Sequence, residues 1–147
     1  MSTSHPHNRI LAACLLCASL AGAQAPAKLR IVATVPDLAD LLQRIGGDRV
    51  APQCLTTGQE DLHLVRTRPS LLIQLRRADA FVQLGLDAEH AWVPPLLRSA
   101  RNAAIQPSGK GFCDASRGVK PLQVPQRTNR GAGPDIHPYG NPHYNLD

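Results

Sequence analysis

Aromatic rings are scarce in this chain: one Trp, two Tyr and two Phe among 147 residues. A surface that reads single-stranded nucleic acid stacks bases on such rings, and a phosphate-tracking surface clusters its cations. The formal charge is +5, yet Arg76-Arg77 is the only adjacent basic pair, so nucleic-acid binding finds no support. Long apolar runs are missing too. The longest, Ile10 to Ala23, has 14 residues, whereas a helix that crosses hydrocarbon needs roughly 20. Two of the four cysteines, Cys14 and Cys17, lie inside that run. Only Cys54 and Cys113 remain beyond it, too few for a zinc ribbon or a CxxC redox pair. There is no HExxH, no histidine pair one helical turn apart, no GxSxG and no phosphate-cradling glycine loop. Ser70, Ser99, Ser108 and Ser116 have no base nearby in the sequence.

What is present begins with an export signal. A cationic start at Arg9, the apolar run and small residues around Ala23 and Ala25 predict a Sec-type signal peptide over residues 1–25 and a periplasmic destination. Leu11-Ala12-Ala13-Cys14 has the outline of a lipoprotein box, but the apolar core follows the cysteine instead of preceding it, so lipidation is not expected. Residues 26–147 suffice for one small domain. An oxidising compartment allows Cys54 and Cys113 to pair, if geometry permits.

The pattern after residue 26 alternates between strand and helix. "LRIVATV" is a β-branched run suited to a strand buried on both faces. "PDLADLLQRIGG" places Leu38, Leu41, Leu42 and Ile45 on one helical stripe, with Pro36 in the first turn and Gly46 or Gly47 at the stop. "RVAPQCLTT" reads as a strand whose Pro52 suits a sheet edge. "RPSLLIQLRRADA" aligns Leu71, Leu72, Leu75 and Ala78, with Thr67 or Ser70 available as a cap. "AFVQLGL" gives a third strand, "HAWVPPLLRSARNA" a third helix with Pro94 and Pro95 in its first turn, and "GFCDAS" a short fourth strand. This is an α/β fold: a parallel sheet of about four strands flanked by helices, with ligands expected beyond the carboxyl ends of the strands. From Lys120 onward no periodicity is visible, and the chain reads as one long loop.

Four histidines lie beyond the signal: His63, His90, His137 and His143. His63 falls in the loop after the second strand; His137 and His143 fall in the final loop. Their local spacing assembles no metal site, so a site would have to be built from distant loops. Glu60, Asp61 and Asp135 stand near histidines, where they suit general acids, partners that orient an imidazole, or plain loop solvation.

Three stretches carry a resemblance: "LRIVATVPDLADLLQRIGGDRV", "GQEDLHLVRTRPSLLIQLRRADAFVQLGLDAEHAW" and, most specifically, "GPDIHPYGNPHYNLD". In this order they resemble the metal-binding solute-binding proteins of zinc and manganese ABC transporters. The resemblance implies a two-lobed protein with a metal in the cleft, and assigns two metal ligands to this lobe, His63 and His143. It gives His137 and His90 no ligand role. It further implies Zn²⁺, or Mn²⁺, as transported ligand, an ABC permease in the inner membrane as partner, a monomer, and no catalysis. The chain stops where the linking helix of such proteins would begin, so residues 26–147 are expected to be the N-terminal lobe without that helix or the second lobe. The implied sheet order, 2-1-3-4, separates the strands of Cys54 and Cys113, so free or intermolecular thiols are expected. Two departures stand out. Leu62 replaces the usual proline before the first histidine and should loosen that loop, and Asn145 replaces an aromatic after "NPHY" and should remove packing. Readings from other classes are a secreted zinc hydrolase with Glu60 as general base, and a surface adhesion protein of the same fold.

Overall fold

Val32 and Phe81 are completely buried on one face of a sheet, and Ile31, Ala33 and Val82 are buried on the other. That two-sided burial is what a β-branched, near-continuous apolar strand requires. The computed structural model describes residues 26–127 and 136–146, so the signal-peptide expectation and Asp135 lie outside the described residues. The elements are β1 (Leu29–Ala33), α1 (Pro36–Gly46), β2 (Val50–Cys54), α2 (Pro69–Arg77), β3 (Ala80–Gln83), α3 (Val93–Ala100) and β4 (Phe112–Asp114). Every strand pairing is parallel and the order is β2-β1-β3-β4. Cys54 on β2 and Cys113 on β4 are therefore separated by two intervening strands, and both are free.

Helices α2 and α3 cover one face. Leu71 and Leu75 from α2, with Val93, Leu96 and Leu97 from α3, enclose Phe81 and Trp92 in a single core. The predicted stripe of α2 thus points inward as its spacing demands, including Ala78 just beyond its end. The Asn102 amide donates to the carbonyls of Leu75 and Ala78 at 2.9 and 2.8 Å, which satisfies acceptors that the end of α2 leaves open. The start of α2 differs from expectation. Neither Thr67 nor Ser70 caps it: Arg68 holds the cap position without a side-chain bond, and Pro69, whose fixed φ suits the first turn, starts the helix.

Helix α1 packs on the opposite face, against β1 and β2. Of its predicted stripe only Leu38 is buried, while Leu41 is 51% and Ile45 73% exposed. The periodicity named a face, but β2 lies at the sheet edge, and the described chain leaves the outer half of that face uncovered.

These contrasts set an expectation for stability. Leu75→Ala, which opens a void among α2, α3 and the sheet, lowers unfolding free energy by about 2–5 kcal/mol in urea denaturation. Ile45→Ala on the exposed flank changes it by no more than about 0.5 kcal/mol.

Candidate metal centre

In a parallel sheet all strands end at the same edge, and the loops that leave that edge are the ones that can meet. One buried carboxylate ties them together. Glu89 accepts from the Thr34 hydroxyl after β1 at 2.7 Å, and from the Leu84 and Gly85 amides after β3 at 2.7 and 3.1 Å. Burial pushes the Glu89 carboxyl above its ordinary value, and these hydrogen bonds offset only part of that rise. The chain turns sharply beside it. Gly85 sits at φ +90°, where a side chain would also collide with the Asp114 carboxylate, and Leu86 and Asp87 follow at φ 49° and 71°.

That turn aims two carbonyls at the histidine loops. The Ala88 carbonyl lies 3.0 Å from His63 Nδ1. A carbonyl can only accept, so Nδ1 donates and the ring is held in a fixed orientation. The Leu84 carbonyl accepts from the Tyr144 hydroxyl at 2.7 Å and so fixes the residue next to His143. Burial raises the Tyr144 phenol to about 12, so it remains a donor at neutral pH.

Each of the two histidines also sits at the end of a small polar turn. Asp61 Oδ1 accepts from the His63 amide at 2.9 Å, and Asn141 Oδ1 accepts from the His143 amide at 2.9 Å. Leu62 does not loosen its loop. It packs against both core clusters, and its carbonyl accepts from Trp92 Nε1 at 2.7 Å. Asn145 likewise supplies a tether in place of packing, by donating to Asp37 Oδ2 at 2.8 Å.

The outcome is that residues eighty positions apart meet. The ring centroids of His63 and His143 are 6.3 Å apart and nearly perpendicular, at 87°. His137, which the sequence reading set aside, stands closer still: its ring is 4.7 Å from His63 and tilted by 40°. His63 and His137 are buried, at 6% and 8% exposure, whereas His143 is exposed. Both ring nitrogens of His137 are buried without a hydrogen-bond partner. Burial, reinforced by His63, pushes the His137 imidazole below its ordinary value, which keeps it neutral. The three rings line one hollow of about 430 Å³, together with Gln123 and Arg127. His63 and His143 also line a second hollow of about 500 Å³, which holds Thr57, Glu60 and Asp61. As the rings stand, no three His, Cys, Asp or Glu side chains among the described residues are set to hold a metal ion. His90 donates from Nδ1 to the Asp87 carbonyl at 2.9 Å and faces a different hollow, of about 650 Å³, with Gln83 and Tyr139.

Glu60 is committed locally. Its carboxylate accepts from the Thr57 amide at 2.8 Å and the Thr57 hydroxyl at 2.7 Å, which lower its pKa to about 2. A carboxylate that weakly basic is poorly suited to take a proton from water.

Residues 31–147 match the family model described as zinc-uptake complex component A, periplasmic, or ZnuA. Among solved structures the chain is similar to a ZnuA crystal structure at 28% identity and a TM-score of 0.53, over 65% of this chain and 35% of that one. It is similar to a zinc-bound ZnuA deletion mutant at 26% identity and a TM-score of 0.59, over 80% of this chain and 39% of that one. A manganese-bound periplasmic metal-binding protein from Candidatus Liberibacter asiaticus shares the fold at 20% identity and a TM-score of 0.58, over 80% and 38% of the two chains. The chain thus spans well under half the length of these structures.

Two expectations follow from this geometry. Glu89→Ala strands three buried donors and lowers stability by about 2–4 kcal/mol at pH 7, read by urea denaturation. The Glu60 carboxyl, followed by NMR, titrates at about 2. Because its folded value lies below the unfolded one, its contribution to stability is present above roughly pH 4.5 and fades as pH falls toward 2. Thr57→Ala removes the hydroxyl bond and raises the midpoint, while the backbone amide at position 57 still holds it below the ordinary carboxylate range.

Proposed function

Since the chain belongs to the periplasmic zinc-uptake component A family, we propose that it captures a divalent metal ion, with the imidazoles of His63 and His143 as ligands. Zn²⁺ is the first choice and Mn²⁺ the alternative. Neutral imidazole suits Zn²⁺, while Mn²⁺ binds more weakly to the same donors. The carrying observation is the pairing of the two rings at 6.3 Å, with the His63 ring oriented through Nδ1 by the Ala88 carbonyl. A zinc ion bound at about 2.0–2.1 Å by two imidazoles in tetrahedral geometry holds their centroids roughly 5 Å apart. His143, exposed and on a loop, supplies the adjustment by rotating its side chain.

Residues 26–147 act as one metal-binding lobe, and residues 1–25 direct the chain to the periplasm. The captured ion passes to an ABC permease in the inner membrane, and the protein works as a monomer. Catalysis has no place in this reading: Glu60, the general base that a hydrolase would need, is held by Thr57 and weakly basic. Pro138 and Pro142 restrict the loop that carries His143, so less conformational freedom is lost when the ligand is ordered on the ion.

Zinc titration by calorimetry on the full chain tests the assignment. Structural zinc bound by four ligands is worth about 10–16 kcal/mol, so the loss of one imidazole weakens affinity roughly 100-fold. His63→Ala and His143→Ala each show that loss, and His90→Ala keeps the wild-type affinity. Equal affinity in all four proteins refutes the ligand pair.

A further inference from the structure

We propose that Tyr144 is a positioning residue of this centre: its hydroxyl, bonded to the Leu84 carbonyl, sets His143 in the same frame as His63. The inference rests on the two-histidine reading above and adds the group that aligns the pair. The His143 side chain is exposed, and its two neighbours are what hold it. Pro142 is fully buried, and the Tyr144 ring packs against the core cluster that contains Leu38, Val82 and Leu84.

The hydrogen bonds of residues 141–146 differ in what they reach. The Asn141 amide donates to the Leu122 carbonyl at 2.8 Å and its side chain to Gln123 at 2.9 Å, so both end in a loop without regular structure. The Asn145 side chain meets Asp37 in an exposed contact, where water competes for both partners. The Tyr144 hydroxyl instead reaches the end of β3, 60 positions away, at 2.7 Å. Leu84 there is 2% exposed, and its amide donates to Glu89 at 2.7 Å. At the other end of the same turn, the Ala88 carbonyl accepts from His63 Nδ1 at 3.0 Å. One stretch of backbone, Leu84 to Ala88, therefore serves both imidazoles: His63 directly and His143 through its neighbour. The consequence is thermodynamic. A site whose loop samples several arrangements has its affinity reduced by the fraction of time spent in the competent one. The hydroxyl restricts that sampling before the ion arrives.

Tyr144→Phe keeps the ring and its packing and removes only the hydroxyl. Zinc affinity of the full chain is measured by competition against a chromophoric chelator, with and without this change, in the wild-type and His143→Ala backgrounds. Far-UV circular dichroism verifies that each variant is folded. The net worth of a neutral hydrogen bond sets the expected loss in the wild-type background at about 3–10-fold. In the His143→Ala background the same change has no further effect, because the residue it positions is gone. A hydroxyl needed only for the general stability of the lobe weakens binding equally in both backgrounds, and that result overturns the proposal. Wild-type affinity in folded Tyr144→Phe overturns it as well. His143→Ala shows where a failure lies. If it weakens zinc binding while Tyr144→Phe does not, the ligand pair stands and only the positioning role falls. If His143→Ala itself matches wild type, both fall.

Discussion

A carboxylate removed from water must be surrounded by donors, and this requirement at Glu89 organises the end of the sheet. Its three donors come from two different strand ends, Thr34 after β1 and Leu84 with Gly85 after β3. Once they are satisfied, the backbone from Leu84 to Ala88 has little freedom. Two of its carbonyls then point outward, one toward Tyr144 and one toward His63. Both histidine-bearing loops are thereby hung from a single turn, which passes through left-handed backbone at Gly85, Leu86 and Asp87. Such a conformation is costly for Leu and Asp, and it persists where the surroundings over-determine it.

The loops themselves contain almost no regular structure, and their order comes from polar and local devices. A side-chain oxygen two residues upstream receives the amide of His63 and of His143. Trp92 bridges the helical core to the His63 loop through its indole N–H on the Leu62 carbonyl. Trp92 otherwise belongs to the apolar core beneath α2 and α3. An amphipathic ring thus couples packing on one face of the sheet to the placement of a ligand at its edge.

Much of this was legible in the sequence, for identifiable reasons. The β-branched run Leu29 to Val35 and the inward spacing of Leu71, Leu75 and Ala78 are period signals that burial enforces, and the structure realises both. Leu41 and Ile45 share the same period but are exposed, because a stripe names a face without saying whether anything covers it. The separation of Cys54 from Cys113 followed from the strand order, which the structure reproduces. The closeness of His137 to His63 could not be read from spacing, since it depends on how a non-periodic loop returns across the sheet edge. A faint signal did exist: Asp61-Leu62-His63, Asp135-Ile136-His137 and Asn141-Pro142-His143 all place Asp or Asn two residues before a histidine. Leu62 and Asn145 each make a contact that the departures from the resemblance did not foretell. One buries its side chain and lends its carbonyl, and the other reaches Asp37.

Parallel strand direction has one more outcome. Among the described residues, every loop that carries a histidine leaves the carboxyl edge. The turn Gly47–Arg49, which feeds directly into the first residue of β2, lies at the opposite edge, and the space around Gly47 is open. A fluorophore or surface tether attached there would sit a full strand length from the imidazoles, so the lobe offers a natural handle for immobilised metal sensing.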